Sequence, residues 1–248
     1  MMAQHTMVVV TDLDIFRLDE QQRTALMALL ADFYYNHPSA KLGVVGITGT
    51  KGKSSTAYYL KYIFDEYLAA KGQPASGVIS SIETYDGVEK FESHLTTPEP
   101  LDLERHFANG VATGMRYLTM EVSSQALKYD RVKNVEFAAA VFLNIGMDHI
   151  SPIEHPDFED YKNAKHRLFV DYQAREMIYN ADDDTSEFMR TGFGGHQTSY
   201  GIERAADYHG TALAQFRSET ALGIDFLCEH GGSSTAVRVL SPGEFSAS

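Results

Sequence analysis

Gly46-Ile47-Thr48-Gly49-Thr50-Lys51-Gly52-Lys53-Ser54-Ser55 is the stretch that decides the fold class. It follows the buried-type strand Val44–Thr48 and precedes a helix expected over Thr56–Ala70, which ends at Lys71-Gly72. A glycine-rich turn between a strand and a helix is the setting in which backbone amides cradle a phosphate. Gly49 and Gly52 let the chain curl so that successive N–H groups point at anionic oxygens, and the helix adds its positive N-terminal end. Lys53 would reach the terminal phosphates as a point charge, and the Ser54 hydroxyl would complete a magnesium shell. The spacing departs from GxxxxGK[ST], because Ile47 stands where the first glycine belongs and the glycine comes one residue earlier, at Gly46. The bland alternative is a glycine-rich turn with a surface lysine; Gly-Lys-Ser opening a helix after a β-run favours the phosphate loop.

Outward from the loop, strand and helix patterns alternate. Towards the N-terminus lie a short apolar strand (Met7–Val10) and a helix. Its Leu26, Leu29, Leu30 and Phe33 recur at helical spacing, before a stop at Asn36-His37-Pro38. Towards the C-terminus come a strand at Val78–Ser80 and a helix at Leu101–Val111. Strands follow at Tyr117–Val122 and Phe137–Leu143, then a helix at Phe158–Val170 and a strand at Glu176–Asn180. This order implies right-handed crossovers and an α/β fold, a P-loop NTPase-like, mostly parallel sheet flanked by helices. The tail differs: Tyr208–Phe216, Ala221–Cys228 and Thr235–Leu240 read as a small antiparallel meander at the C-terminal end.

Composition narrows the partners. The chain has 248 residues, 34 acidic against 21 basic, and a formal net charge of −13. Both nucleic acid and anionic membranes need net basic surface, so neither is expected as a partner. No run approaches the roughly 20 apolar residues of a membrane span, and the start lacks a signal-peptide pattern. A single cysteine, Cys228, excludes an intrachain disulfide framework and fits a reducing compartment, so a cytoplasmic protein is expected. Nothing near Cys228 activates it, and inert packing is its expected role.

Three more residues sit where chemistry is expected. Glu121 ends an apolar strand, and in open parallel sheets ligands bind at the carboxyl ends of strands, so its carboxylate would face the nucleotide. A solvated acid at a strand end is the alternative. Asp148-His149 follows the next apolar strand and should emerge at the same rim, where a lone histidine is more often structural than a ligand. Lys165 falls four residues after Tyr161 on the face formed by Phe158, Tyr161, Leu168 and Phe169, with Lys162, His166 and Arg167 pointing elsewhere. A lysine on a buried stripe must find an anion, snorkel, or lose its charge. A neutral inward lysine can also add CO2, giving a carbamate that is an oxygen ligand for a hard cation.

The loop TGTKGKS, the turn Thr96-Thr97-Pro98, the run EVSSQALKYDRV from Glu121, and NIGMDHISPIEHPDFEDYKNAKHRLF over 144–169 together resemble the Mur ligase family. These are ATP-dependent amide ligases of peptidoglycan precursor synthesis, and the glycine placement at Gly46 is the family's own form. The nearest likeness is to the branch that adds lysine or diaminopimelate to UDP-MurNAc-L-Ala-D-Glu. The resemblance implies that Gly49, Thr50, Lys51, Gly52, Lys53, Ser54 and Ser55 bind ATP, with Ser54 on one magnesium. Glu121 and His149 would hold a second magnesium, with Lys165 matching the lysine carbamylated in many members. Thr96, Thr97, Ser123 and Arg131 match positions that contact the UDP-MurNAc-peptide; Tyr129 stands where some members carry glutamine. Capping of the helix after the Thr-Thr-Pro turn is a second reading of those threonines. The reaction implied proceeds through an acyl phosphate that an incoming amine displaces, with Lys53 and Lys165 as the catalytic lysines.

The family has three domains. Residues 1–42 would then be the remnant of a UDP-binding N-terminal domain and its linker, and residues 43–248 the central ATP-binding domain. The run from Ser241 to Phe245 resembles the junction into a C-terminal domain that is absent. A monomer is expected that binds nucleotide weakly and does not complete ligation by itself. Two alternatives remain: a folylpolyglutamate synthetase-like ligase, and a non-catalytic nucleotide-binding module.

Overall fold

A computed structural model of the chain describes residues 17–148, 150–151, 154–172, 174–218 and 222–240. The expected strand Met7–Val10 and the run from Ser241 onward lie outside the described residues. Helix α1 spans Glu20–Tyr34, opened by a reciprocal cap in which Asp19 accepts from the Gln22 amide and Gln22 from the Asp19 amide. A single 3₁₀ turn, Ser39–Lys41, leads into β1 (Gly43–Thr48) and then α2 (Lys53–Ala69). Strands β2 (Gly77–Ile79), β3 (Glu83–Tyr85) and β4 (Lys90–Glu92) precede α3 (Pro100–Ala112). Then come β5 (Tyr117–Glu121), α4 (Ser124–Lys128), β6 (Phe137–Phe142), α5 (Phe158–Val170) and β7 (Glu176–Asn180). The last elements are α6 (Ser186–Arg190), β8 (His196–Gly201), β9 (Tyr208–Arg217), β10 (Leu222–His230) and β11 (Ser233–Val239).

All the strands among the described residues form one sheet in the order β11-β10-β9-β8-β7-β6-β1-β5-β2-β3-β4. Pairing is parallel from β2 through β9 and antiparallel at both ends. The expected antiparallel meander is β9-β10-β11 at the C-terminal end, and β8 pairs with β9 in parallel, Tyr200 opposite Tyr208, joining it to the rest of the sheet. Residues of β1 alternate between two apolar layers. Val44 joins Leu103, Phe107, Phe137, Leu168 and Phe169 on one face, and Val45 and Ile47 join Ala57 and Val78 on the other. Helices α3 and α5 thus cover one face and α2 the other, which leaves the carboxyl ends of β1, β5 and β6 open at one rim.

Two details differ from the sequence reading. Helix α2 begins at Lys53, because Gly52 takes a left-handed φ of 86° and turns the chain into the helix three residues early. On α1 the stripe of Leu26, Leu29, Leu30 and Phe33 does not form the buried face. Leu29 and Phe33 are exposed, while Ala28, Ala31 and Asp32 are buried. Helix α1 packs against α3, with Asp32 near enough for its charge to act on Glu104.

That contact buries two acids. Glu104 on α3 is 2% exposed, its Oε2 has no partner, and desolvation with the charge of Asp32 pushes its pKa up to about 8. The folded state therefore holds a proton that the unfolded chain releases near 4.5, so stability falls as pH rises from about 4.5 to about 8. Glu104→Gln should flatten that slope, with a gain on the order of a few kcal/mol above pH 8 in urea titrations. An unchanged slope in the variant would place the titration elsewhere.

Candidate functional site

The loop after β1 is held from the far side by residues that follow β6. The Asn144 carbonyl accepts from the Thr50 amide at 3.0 Å, and its side chain bonds the backbone of Lys51 in both directions, at 3.0 and 3.1 Å. Thr50 Oγ1 accepts from the Gly146 amide at 2.9 Å and lies 3.1 Å from the Tyr161 hydroxyl. The reading that successive loop amides all face a phosphate is thus corrected for Thr50 and Lys51, whose N–H groups are bonded to Asn144. Open amides begin later. The first helical bond of α2 runs from Thr56 N to Gly52 O, so Lys53, Ser54 and Ser55 occupy the helix's unsatisfied first turn.

Two lysine side chains converge on one carbonyl. Lys53 Nζ donates to Gly49 O at 2.9 Å and to Thr50 O at 3.2 Å, and Lys165 Nζ donates to Gly49 O at 2.9 Å. Lys165 is 1% exposed, with its Nζ 4.6 Å from the centre of the Tyr161 ring. Burial, reinforced by the nearby Lys53 charge, holds the Lys165 pKa well below the ordinary lysine range, with Asp148 pulling weakly the other way. Lys53 is lowered too, by desolvation, against the pull of Glu121 and Asp148. The inward lysine inferred from helix spacing is therefore real, and its environment favours the neutral amine that reacts with CO2.

Glu121, 1% exposed, accepts from Ser81 N at 2.9 Å and Ser81 Oγ at 3.3 Å; Ser81 Oγ in turn lies 3.2 Å from Ser54 Oγ. Ser54 and Glu121 are therefore linked through one hydroxyl. A carboxylate with hydroxyls is an oxygen donor set that suits a hard divalent cation. His149, the other expected ligand, lies outside the described residues. Ser81 was missed in the sequence; its signal was a serine pair just past a buried strand whose carboxyl end faces the rim.

A cleft of about 190 Å³ opens beside the two lysines. It is lined by Thr96, Thr97, Ser123 and Arg131, all expected substrate contacts, together with Lys53 and Lys165. Leu95, Ser124, Gln125 and Glu154 also line it and were not foreseen. The threonines do not cap α3, where Glu99 is the N-cap without a side-chain bond and Pro100 starts the helix. Thr97 is buried and ties β5 to its own turn, donating to Glu121 O at 2.9 Å and accepting from Ser123 N at 3.0 Å. Ser123 Oγ accepts from the Ala126 amide and caps α4. Arg131 pairs with Glu99 at 2.9 Å. Cys228 lies half-buried in β10, far along the sheet from this rim.

The family model described as Mur ligase middle domain matches residues 47–248. The UDP-N-acetylmuramoyl-L-alanyl-D-glutamate–L-lysine ligase of Enterococcus faecalis is 46% identical over 156 residues, covering 63% of this chain and 30% of that protein. The corresponding 2,6-diaminopimelate ligase of Clostridium botulinum is 35% identical over 196 residues, covering 79% and 38%. The chain thus spans about a third of the length of these curated relatives. Among solved structures, a UDP-N-acetylmuramoyl-L-alanyl-D-glutamate–2,6-diaminopimelate ligase superposes with a TM-score of 0.72 at 20% identity, over 90% of this chain and 45% of the other. The MurF ligase of Thermotoga maritima, solved with ADP, gives 0.57 at 17% identity, over 93% and 47%.

Proposed function

The chain belongs to the Mur ligase family, its matched residues forming the middle domain, and from that premise we propose that it is the ATP-binding unit of a peptidoglycan-precursor ligase. The reaction would join a diamino acid to UDP-MurNAc-L-Ala-D-Glu, with residues 43–248 as the ATP-binding domain. The observation that carries this reading is the convergence of Lys53, Lys165, Arg131, Thr96 and Ser123 on one cleft beside the phosphate loop.

Each group has a task set by its position. Lys53, released from the Gly49 and Thr50 carbonyls, would reach the terminal phosphate, while the first-turn amides of α2 hold the phosphates behind it. Gly49, Thr50, Lys51 and Gly52 shape the loop. Arg131 would exchange Glu99 for the substrate carboxylate and bring that anion towards the phosphate. Two anions must approach for acyl transfer to begin, so the barrier is electrostatic, and a cluster of cations in a net acidic protein lowers it locally. Ser54 would hold one magnesium with the phosphates, and Glu121, joined to it through Ser81, would hold a second with His149 and a carbamylated Lys165. The ions, when bound, would neutralise phosphate oxygens. A substrate carboxylate oxygen would bond to the γ-phosphorus as the bond to ADP breaks, and the acyl phosphate so formed would be open to attack by an amine.

Binding assays on the chain test the substrate class. With a non-hydrolysable ATP analogue and magnesium present, UDP-MurNAc-L-Ala-D-Glu should bind at least about tenfold more tightly than a folate monoglutamate, a difference of about 1.4 kcal/mol. The reverse preference would move the protein to the folylpolyglutamate-type ligases. Binding of neither, with nucleotide bound normally, would favour a non-catalytic nucleotide module.

A further inference from the structure

Ser124, one of the cleft residues that sequence reading missed, is not an isolated hydroxyl. Its Oγ lies 2.9 Å from Nε2 of His155, and Nδ1 of the same ring lies 2.6 Å from Asp160 Oδ2. His155 is fully buried, and Ser124 is 6% exposed where it lines the cleft. Three chain segments supply the three groups. Ser124 begins α4 just after β5, His155 precedes α5, and Asp160 sits in the first turn of α5.

The hydrogen-bond directions follow from the acid. Burial raises the Asp160 pKa, but hydrogen bonds from Lys128 and His155 outweigh it and hold the carboxyl below the ordinary carboxylate range. An ionised Asp160 can only accept, so Nδ1 of His155 carries a proton; in the tautomer with Nε2 unprotonated, Nε2 accepts from Ser124 Oγ–H. The lone pairs of Ser124 Oγ are then left for the cleft. The other charged and titratable groups around the ring are Lys128, which bonds Asp160 at 2.7 Å and the Glu154 carbonyl at 3.0 Å, and Glu154, whose carboxylate accepts from Gln125. The Tyr161 ring packs edge-on at 5.1 Å.

We propose that Ser124, His155 and Asp160 form a proton relay whose outer end, Ser124 Oγ, takes the proton from the attacking amine. The proposal rests on the ligase reading for the identity of that amine. When the amine nitrogen bonds to the acyl carbon, it becomes cationic and must lose a proton before the product is stable. Ser124 Oγ accepts that proton as its own passes to His155 Nε2, and Asp160 stabilises the histidinium. The acyl carbon–oxygen bond to phosphate then breaks, phosphate leaving with the electron pair, and His155 returns its proton to solvent through the serine. No further reactant is needed. Among the described residues that line the cleft, Glu154 is the competing carboxylate, and it is distinguished below.

The movement of the Ser124 proton onto His155 can be read without nucleotide or substrate, by reaction of the 248-residue chain with diisopropyl fluorophosphate. The expected result is a covalent adduct at Ser124, located by peptide mass mapping, whose rate of formation rises with pH along a single ionisation. Ser124→Ala should abolish it. His155→Gln should slow it by about 100-fold or more and Asp160→Asn by at least about tenfold, with Glu154→Gln within about twofold of the unmodified chain. Absence of an adduct in the unmodified chain overturns the relay, whatever the variants do. So does a rate unmoved by His155→Gln, or one lost in Glu154→Gln. Nucleotide binding measured on the same samples separates the two readings. Binding without labelling sinks the relay alone, and labelling without binding sinks the ligase reading while leaving the serine activated.

Discussion

Lys53→Ala is expected to weaken ATP binding by about 100-fold, the loss of one strong charge-assisted contact, while leaving the melting temperature almost unchanged. The asymmetry follows from the two lysines that share Gly49 O. With Lys53 gone, Lys165 still donates to that carbonyl, so the loop keeps its inner anchor and only Thr50 O loses a partner. The Lys53 charge that disfavours protonation of Lys165 also disappears, and desolvation then remains as the main force lowering the Lys165 pKa. Lys53→Arg should not restore affinity, because a planar guanidinium cannot replace a point charge folded into so tight a loop. Calorimetric titration of the chain with ATP and magnesium checks both variants. Affinity retained within a few-fold in Lys53→Ala would mean that the loop is a turn rather than a phosphate cradle.

The largest effect on stability is expected at Gly46. A methyl group there would sit 2.6 Å from Cε1 and 2.8 Å from Cδ1 of Phe137, and 3.2 Å from Val122 Cγ2. Phe137 is fully buried on the neighbouring strand β6, where β1 and β6 pair, and so has no open space to enter. Gly46→Ala should cost about 2–3 kcal/mol by overpacking, measured as a lower midpoint in urea at unchanged m-value. Gly146→Ala is the comparison, because nothing lies within 4 Å of a Cβ at that position. It should stay within about 0.5 kcal/mol of the parent. Combining Gly46→Ala with Phe137→Leu should recover part of the loss, since the two side chains compete for one volume. Equal costs at both glycines would show that the Phe137 ring is not what demands Gly46.

This packing also explains the loop's odd spacing. The early glycine is a strand residue, not part of the phosphate turn, and it is glycine because an aromatic ring crosses the sheet there. The turn itself is served by Gly49 and by Gly52 at φ 86°. The fragment Gly-Lys-Ser was legible because its chemistry is local: a strand, a curl and a helix N-terminus lie within ten residues of one another. The alternation of strands and helices was legible for the same reason. Helix α5 and strand β7 emerge with the bounds their periodicity predicts. Strand β8 escaped because His196-Gln197-Thr198-Ser199 offers no apolar rhythm, and β3 and β4 because three residues carry too little pattern.

What the sequence determined by itself is the α/β class, the glycine-rich turn between β1 and α2 and the inward direction of Lys165, since each depends on neighbours a few residues away. Contacts between distant segments were decided only by the tertiary structure. It tied the Thr50 and Lys51 amides to Asn144, inserted Ser81 between Ser54 and Glu121, and turned α1 so that Leu29 and Phe33 face outward. It also set Ser124 against His155 across 31 residues of chain. The physical reason is one of range. Backbone curl and helical period act over single turns, whereas a hydrogen bond between loops depends on where the whole sheet delivers its strand ends.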